Sequence, residues 1–288
     1  MQYKSLSAFL GSGRAHLAKG PVALILAEDA VEADTTIRHH IDAGFRKIIV
    51  FADRSVDIGV RPSERVIRVE HDMMSENALT GVVNAVIDLA DGQWLYYCYN
   101  AEYLFYPFCE HRTVVEVTTF MTEERRDSVL TYVIDLYAGD LWETPSAVSL
   151  DDAHLDKSGY YALARMKPGT QDPEERQLDF FGGLRWRFEE HVPAPRRRID
   201  RVALFRAQKG VHLRPDHTFT EPEYNTYACP WHNNLTAAIC SFRTAKALKR
   251  NPGSTFDIDT FRWHNSAPFD WHSQQLLDLG LMEPGQWF

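Results

Sequence analysis

Carboxylate, amide and hydroxyl side chains follow three short apolar segments of this 288-residue chain. The segments VALILA, KIIVF and WLYYCY each end in an acidic or polar loop. Ligands of open α/β sheets bind outside the carboxyl ends of the strands, so a binding site is expected at these loops. The side chains concerned are Glu28 and Asp29, then Asp53, Ser55 and Asp57, and finally Asn100 and Glu102.

Simpler interpretations of these loops remain open. Asp53, Ser55 and Asp57 are residue types that often stabilise turns. Glu102 lies among tyrosines, where a carboxylate is costly to desolvate unless a cation or a hydrogen-bond donor is near. A bound metal ion and a neighbouring arginine would both meet that need.

A second pattern joins two adjacent glycines, Gly182 and Gly183, to Arg185 and Arg187. Glycine lets a backbone approach a ligand closely, and a guanidinium group presents paired donors to phosphate oxygens. The pattern predicts a phosphate-binding loop, and a surface turn is the alternative.

The histidines predict no compact metal site. His212, His217 and His232 are spread over twenty residues of predicted loop, a spacing that fits no compact zinc motif, although loop histidines can bind metal or phosphate. His40 lies one helical turn past Ile37 and is interpreted as a hydrogen-bonded, partly buried histidine rather than a ligand.

The elements that must position these residues alternate between apolar runs and amphipathic stretches, which indicates βαβ units in a mostly parallel sheet. Strands are predicted near residues 22–27, 47–51, 66–69 and 94–99. One helix should end at Gly44, and Ser75 should cap another. The β-branched runs TVVEVTTF and SVLTYVIDLYAG favour further strands or a β-rich insertion. Residues 145–230 should be loop-rich, and a helix is predicted from about Asn234 to Arg250.

Composition and charge restrict the possible function. The chain is 44% apolar, enough for a sizeable core, and its net charge of −9 argues against general nucleic-acid binding. Its four cysteines form no C-x-x-C pair, and no segment approaches the roughly 18 to 20 apolar residues of a membrane span. We therefore expect a cytoplasmic protein with no nucleic-acid partner and no transmembrane segment.

The acidic loops resemble those of bacterial glycosyltransferases with the GT-A fold, in the family-two-like group. The stretch AEDAVEADTTIRHHIDAGF is similar to that family's opening acidic pair, helix and turn. ADRSVD resembles its nucleotide-binding loop, and NAEYL resembles its Asp-x-Asp segment with the following Glu-Phe-Leu. FGGLRWRF and RIDRVALFR look like its Gly-Gly-x-Arg segment and next strand. The resemblance covers about the first 110 residues well and is patchy beyond.

The resemblance implies an α/β fold: a GT-A-like, Rossmann-related, mostly parallel sheet flanked by helices, with a loop-rich α+β C-terminal half. Residues 1–145 would bind the nucleotide-sugar donor, and residues 146–288 would face a saccharide or lipid-linked acceptor. The implied donor-binding residues are Glu28, Asp29, Asp53, Ser55, Asp57, Arg185 and Arg187. The implied ligands of a divalent Mn²⁺ or Mg²⁺ ion are Asn100, Glu102, His217 and His232. Asp179, just ahead of the glycines, is the implied catalytic base.

One departure from the family concerns the Asp-x-Asp position. One alignment puts Asn100 and Glu102 there, and the other puts Tyr99 and Ala101 there, so at most one carboxylate is present. Cation binding is therefore expected to be weak or absent. The alternative function is a GT-A-like domain that has lost its metal site and binds a saccharide or a partner, which the aromatic stretch FRWHNSAPFDWHSQQ would suit. A metal-dependent hydrolase built from the loop histidines is a third hypothesis.

Overall fold

The computed structural model describes residues 1–287, which form two compact units. The first unit contains residues 1–103, 111–130 and 202–225. The second contains residues 104–110, 131–201 and 226–287. The predicted boundary at residue 145 therefore lies inside the second unit.

Strands and helices alternate along the described chain. The strands are β1 Gln2–Tyr3, β2 Val22–Ala27, β3 Lys47–Ala52, β4 Val66–Glu70, β5 Trp94–Tyr99, β6 Glu102–Phe105, β7 Ser128–Asp135, β8 Tyr137–Ala138, β9 Ala153–Asp156, β10 Tyr161–Met166, β11 Pro173–Phe181, β12 Asp200–Arg206, β13 Ala237–Ser241 and β14 Ser266–Pro268. The α-helices are α1 Leu6–Ser12, α2 Arg14–Leu17, α3 Ala33–Asp42, α4 Ala78–Leu89, α5 Val114–Glu123, α6 Leu184–Arg187, α7 Arg243–Arg250 and α8 Ser273–Asp278. No helix within residues 1–287 is both long and apolar enough to cross a membrane.

The first unit is built on a large, mostly parallel sheet. Strands β1, β4, β3, β2 and β5 lie side by side in that order and run parallel, and β12 pairs with β5 in the antiparallel direction. The four strands predicted in this region are confirmed. The chain proceeds from β2 through β3 to β4, then returns to the other side of β2 as β5. Such a reversal of strand order is where open α/β sheets bind ligands.

Unbroken apolar sequence explains the central strands. All six residues of β2 and all six of β5 are buried. Strands covered on both faces lose the alternation of polar and apolar residues that half-exposed strands show. Helix α3 packs on β2 and β3, and it ends near Gly44, as predicted, where the backbone has φ of 94°.

The start of α4 differs from the prediction. The residue before this helix is Asn77, and Ser75 instead donates its hydroxyl to the Asp72 carbonyl oxygen. Ser75 therefore stabilises the preceding turn rather than the helix.

The segment TVVEVTTF forms helix α5, so its predicted strand is wrong. The Glu116 carboxylate accepts hydrogen bonds from the Thr113 backbone N–H at 2.7 Å and the Thr113 hydroxyl at 2.9 Å. These bonds satisfy the start of the helix, and they lower the pKa of Glu116. Val114, Val117 and Met121 then form its buried face. Capping and the spacing of buried residues thus outweigh the β propensity of valine and threonine.

The second unit contains three separate pairings of strands. Strand β13 runs parallel to β7, strands β14, β9 and β8 form a three-stranded antiparallel sheet, and β10 pairs with β11 as a hairpin. The region predicted to be loop-rich thus contains several strands.

The predicted helix from Asn234 to Arg250 is only half correct. Its first part is the fully buried strand β13, and its second part is helix α7. The apolar run AAIC has the length of a strand and is followed by a polar, strongly basic helix, so one element was predicted where two occur.

Candidate functional site

Asn100 closes the edge of the sheet where the strand order reverses. Its side-chain oxygen accepts from the Glu28 backbone N–H at 3.0 Å, and its amide nitrogen donates to the Asp29 carboxylate at 2.7 Å and the Val31 carbonyl oxygen at 2.8 Å. The side chain is 0% exposed. Asn100 therefore ties the loop after β2 to the end of β5.

Glu102 is also fully buried. Its carboxylate accepts from the Tyr99 backbone N–H at 2.8 Å, and the adjacent Ala101 N–H donates to the Thr36 hydroxyl at 2.9 Å. Glu102 lies at a loop where a binding site was expected, but its carboxylate turns back onto the backbone of its own loop and is closed off from solvent. The Tyr99 N–H is therefore one group that offsets the cost of removing the Glu102 carboxylate from water.

His40 is buried beside this loop, as the sequence predicted. Its Nδ1 donates to the Thr36 carbonyl oxygen at 2.7 Å, and its Nε2 lies 3.8 Å from the Cys98 sulfur. Burial lowers the pKa of His40 to about 3. The imidazole is therefore neutral and belongs to the core of the first unit.

The residues predicted to hold a metal do not fit a cation site in this conformation. The oxygen of Asn100 is already a hydrogen-bond acceptor, and Glu102 is closed off from solvent. Among residues 1–287, no group of three or more His, Cys, Asp or Glu side chains is arranged to hold a metal ion. Divalent magnesium and calcium need several oxygen ligands that face one point.

The predicted histidine ligands have local partners. In the first unit, His217 stacks on Tyr97 with ring centroids 6.0 Å apart, and its Nδ1 lies 3.0 Å from the Tyr97 hydroxyl. In the second unit, His232 donates from Nδ1 to the Asn233 carbonyl oxygen at 2.9 Å.

The loop after β3 is fixed by its neighbours yet exposes its carboxylates. Arg68 donates to the carbonyl oxygens of Asp53 at 3.1 Å and Val56 at 2.8 Å, and the Asp34 carboxylate accepts from the Val60 N–H at 2.9 Å. Asp57 is exposed and forms no hydrogen bond or ion pair with the described residues. The backbone is held, and the acid at its tip is available to a ligand.

Asp53 begins this loop with a tight turn. Its carboxylate accepts from the Ser55 backbone N–H at 2.8 Å and the Ser55 hydroxyl at 2.6 Å. These hydrogen bonds lower the pKa of Asp53 below its ordinary value. The turn interpretation is therefore correct for Asp53 and Ser55, while both remain exposed to solvent.

The acidic side chains of the loop after β2 are more exposed than Glu102 and less exposed than Asp57. Glu28 and Asp29 are half-buried, and the Asp29 carboxylate accepts from the Val31 N–H at 3.0 Å as well as from Asn100. Asn100 thus fixes the orientation of Asp29 at the carboxyl edge of the sheet.

In the second unit, the predicted base Asp179 is an ion-paired residue of β11. Its Oδ1 lies 2.7 Å from Arg165 Nε and 2.9 Å from Arg198 Nη1. Arg165 also contacts the buried Asp200 carboxylate at 2.6 Å. The pKa of Asp200 is raised by burial. Asp179 therefore joins the hairpin to the start of β12.

The two arginines after the glycines point into the second unit. Arg187 donates to the Asp156 carboxylate at 2.9 Å, and its guanidinium carbon lies 4.8 Å from the Trp263 ring centroid. Arg185 donates to the Arg198 carbonyl oxygen at 2.7 Å, and its Nε lies 3.5 Å from Asp135 Oδ1. Both guanidinium groups stabilise the interior around the glycines in this conformation.

The glycines themselves pack against two groups that sequence reasoning missed. A side chain at Gly182 would collide with the Tyr160 ring, and one at Gly183, where φ is 63°, would lie 3.0 Å from the Asp135 carboxylate. Asp135 Oδ1 and the Tyr160 hydroxyl are buried and have no hydrogen-bond partner among residues 1–287, although Arg185 Nε lies 3.5 Å from Asp135 Oδ1. Burial raises the pKa of Asp135. Asp135 is the last residue of the apolar strand β7, so a search at the carboxyl ends of strands, which found the first-unit acids, could have found it.

Comparison with known proteins does not identify a family. No family model matches the chain, and no curated protein sequence is significantly similar to it. The structure is that of an α/β protein with a large, mostly parallel sheet flanked by helices. Acidic side chains lie along the carboxyl edge of that sheet.

Proposed function

We propose that this protein is a glycosyltransferase that binds a nucleotide-sugar donor at the carboxyl edge of the first-unit sheet. One observation supports this function most directly: the strand order reverses between β2 and β5, and Glu28, Asp29 and Asn100 follow those two strands. Nucleotides commonly occupy the crevice at such a reversal.

The exposed loop after β3 supplies the donor-binding groups. A carboxylate at this edge can accept hydrogen bonds from ribose hydroxyl groups. Asp57 has its acceptor atoms free for this role, while Arg68 and Asp34 hold the backbone that carries it. A preformed loop limits the entropy lost when a ligand binds.

Asn100 and Glu102 hold the proposed donor site in position. Asn100 orients Asp29 through a 2.7 Å hydrogen bond, and Glu102 fixes the turn at the end of β5. Neither residue is assigned a metal ion, because hydrogen bonds to neighbouring groups hold both side chains in the fold. Donor binding is therefore expected without a divalent cation.

A second function is a saccharide- or partner-binding module that retains the GT-A-like sheet without transferase activity. The burial of Asn100 and Glu102 favours it, because one of the two alignments places these residues at the family's metal motif. Transfer also requires stabilisation of the departing diphosphate and a base for the acceptor hydroxyl. Asp179, Arg185 and Arg187 remain predictions for those roles, and each would have to exchange its present partners.

Thermal unfolding with a panel of nucleoside diphosphates and nucleotide sugars tests donor binding. A ligand that binds the native state raises its apparent stability, by about 2.7 kcal/mol at a concentration one hundred times Kd. We expect one nucleotide series to raise Tm in the presence of EDTA. If no nucleotide raised Tm, either with or without Mn²⁺, the proposed donor site would be contradicted.

Release of nucleoside diphosphate from the stabilising nucleotide sugar separates the two functions. A transferase releases it when a suitable saccharide acceptor is added, whereas a binding module raises Tm without turnover. Nucleotide binding with no release on any acceptor of a broad panel would favour the module.

A further inference from the structure

The first unit carries a cleft of about 490 Å³ at the amino end of its sheet. The lining belongs to that unit alone and consists of Gly44, Phe45, Arg46, Arg65, Thr113 and Val115. Arg46 directly precedes β3 and Arg65 directly precedes β4, so the cleft lies at the opposite edge of the sheet from the proposed donor site. Strand β3 has six residues and separates the two edges by roughly 20 Å.

Backbone contacts fix the walls of this cleft. The Val114 N–H donates to the Ala43 carbonyl oxygen at 2.9 Å, which joins the start of α5 to the end of α3. A Cβ atom at Gly44 would lie 3.1 Å from Thr113 Cβ, so glycine permits this close approach of the two segments. The walls are therefore held by the fold itself.

Arg65 is oriented in the cleft by the end of α3. Its Nη2 donates to the carbonyl oxygens of Ile41 at 3.0 Å and Phe45 at 2.9 Å. Its Nη1 and Nε atoms form no hydrogen bond or ion pair with residues 1–287. The guanidinium group is thus held in place while two of its nitrogens remain available to a ligand.

The second guanidinium group of the cleft, on Arg46, has no partner in the described part of the chain. Arg46 is exposed, and its side chain forms no hydrogen bond or ion pair with residues 1–287. The next residue, Lys47, donates to the Glu64 carbonyl oxygen rather than to a carboxylate. The pKa of His16 is lowered first by burial and then by the Lys47 charge. Positive charge therefore accumulates at this edge of the sheet.

Acidic side chains do not offset this charge inside the cleft. Asp42 and Glu64 are close to the lining residues in sequence, yet no carboxylate of residues 1–287 lines the cleft. The Glu116 carboxylate accepts two hydrogen bonds from Thr113 and lies 3.7 Å from Arg112 Nη1. An anion in the cleft would therefore meet two guanidinium groups and no lining carboxylate.

These groups select an anionic ligand. Guanidinium groups present paired N–H donors that match the oxygens of a phosphate group. The cleft volume lies within the roughly 300–1,000 Å³ of small-molecule sites, which leaves room for an organic group beside the phosphate. We propose that this cleft binds the phosphate group of a small, soluble phosphate monoester.

The phosphate site goes beyond the proposed donor function, because it uses the opposite edge of the sheet and requires no nucleoside. Its test is calorimetric titration of the full-length protein with inorganic phosphate, glycerol 3-phosphate and acetate at constant ionic strength. We expect both phosphates to bind, and acetate to bind at least tenfold more weakly. If neither phosphate bound, or if acetate bound equally well, the proposal would be overturned.

Sedimentation with vesicles separates a soluble ligand from a lipid headgroup that carries the same phosphate. The vesicles contain phosphatidic acid in phosphatidylcholine, and vesicles of phosphatidylcholine alone are the control. We expect the protein to remain in the supernatant with both. Sedimentation with phosphatidic acid vesicles, without binding of glycerol 3-phosphate, would overturn the assignment to a soluble ligand.

Substitutions at Arg46 locate the binding. Arg46→Gln removes a charge that has no partner among residues 1–287, so the variant should fold, and it should weaken glycerol 3-phosphate binding about tenfold. Arg46→Glu reverses the charge and should reduce binding below detection. The matched control Arg38→Gln changes an exposed arginine of α3 that does not line the cleft, and it should bind like the parent.

The same variants distinguish the cleft from the donor edge. The nucleotide that most raises Tm should bind Arg46→Gln and the parent with equal Kd, and failure of every nucleotide to bind would leave the phosphate titrations unaffected. Unchanged glycerol 3-phosphate affinity in both Arg46 variants would place the phosphate elsewhere and overturn the proposal. Equal loss of nucleotide and glycerol 3-phosphate affinity in Arg46→Gln would also overturn it, because the two ligands would then share one site.

Discussion

The Asn100–Glu102 turn and the Asp53–Asp57 loop both follow parallel strands of the first-unit sheet. The turn buries its polar side chains, whereas the loop exposes its carboxylates to solvent. Asn100 and Glu102 are 0% exposed and bond to neighbouring backbone groups. Asp53 and Asp57 are exposed on a loop that other residues hold in place. Position after a strand therefore identifies where a site can form, while burial decides which side chains remain available to a ligand.

The same division extends to the second unit. Asp156 is buried and accepts from the Tyr137 hydroxyl at 2.6 Å, the Trp263 indole N–H at 2.8 Å and Arg187 at 2.9 Å. Asp270 is exposed, and its carboxylate has no such partners within residues 1–287. Buried acids of this protein should therefore control stability, and exposed acids should control binding.

The largest effect is expected at Asp156. Replacement by Ala leaves the Arg187 charge buried without its carboxylate, which should lower the free energy of unfolding by about 4 kcal/mol. The control Asp151→Ala removes an exposed carboxylate and should change it by less than about 0.5 kcal/mol. Urea unfolding of both variants measures the difference. Equal stabilities would mean that burial does not separate the two classes of acid.

Asn100→Asp should be the next most destabilising change. It replaces two donated hydrogen bonds with a carboxylate beside Asp29 and the Val31 carbonyl oxygen, at a cost of about 3 kcal/mol. Asn84→Asp is the matched control, because Asn84 donates only one such bond, to the Leu213 carbonyl oxygen. Its cost should be about 1 kcal/mol. If Asn100→Asp instead retained full stability and gained Mn²⁺ affinity, the metal-site interpretation would be restored.

The four central strands predicted in the first unit were predictable because their burial follows from local sequence, whereas the strands after residue 145 and much of the site were not. Runs such as VALILA are long and apolar enough to specify buried strands by themselves. Helix α5 was missed because valine and threonine propensity was weighted above the Thr113–Glu116 cap that the sequence also contains. The role of Asn100 depends on partners about seventy residues earlier, which spacing alone does not reveal.

Ionisation of the buried Asp135 should make the free energy of unfolding depend on pH. Burial raises its pKa above the ordinary 3.8, so the folded state holds this proton more tightly than the unfolded state. The stability that this group contributes is fully present below pH 3.8 and is lost as the pH rises through the raised pKa. Relative to Asp135→Asn, the parent should therefore lose stability between acidic and neutral pH.

Urea unfolding of the parent and Asp135→Asn across that pH range measures this trend. The control Asp151→Asn changes an exposed acid and should follow the parent at every pH. A parent that gained stability relative to Asp135→Asn on raising the pH would contradict the assigned direction.

The smallest effect on stability is expected at Asp57. Asp57→Ala should change the free energy of unfolding by less than about 0.5 kcal/mol, because its carboxylate has no partner among the described residues. It should nevertheless weaken binding of the stabilising nucleotide about tenfold. Asp88→Ala, an exposed change on α4, is the control and should leave both quantities unaltered. Calorimetric titration and urea unfolding of the same samples provide the two values.

Calorimetric titration of the parent protein with the nucleoside diphosphate that most raises its Tm, once in EDTA and once in Mn²⁺, tests the central claim most directly. If Asp53, Ser55 and Asp57 form the donor-binding surface while Asn100 and Glu102 belong to the fold, the nucleotide should bind with nearly equal Kd in both solutions. Binding only in Mn²⁺, or no binding in either solution, would contradict that claim.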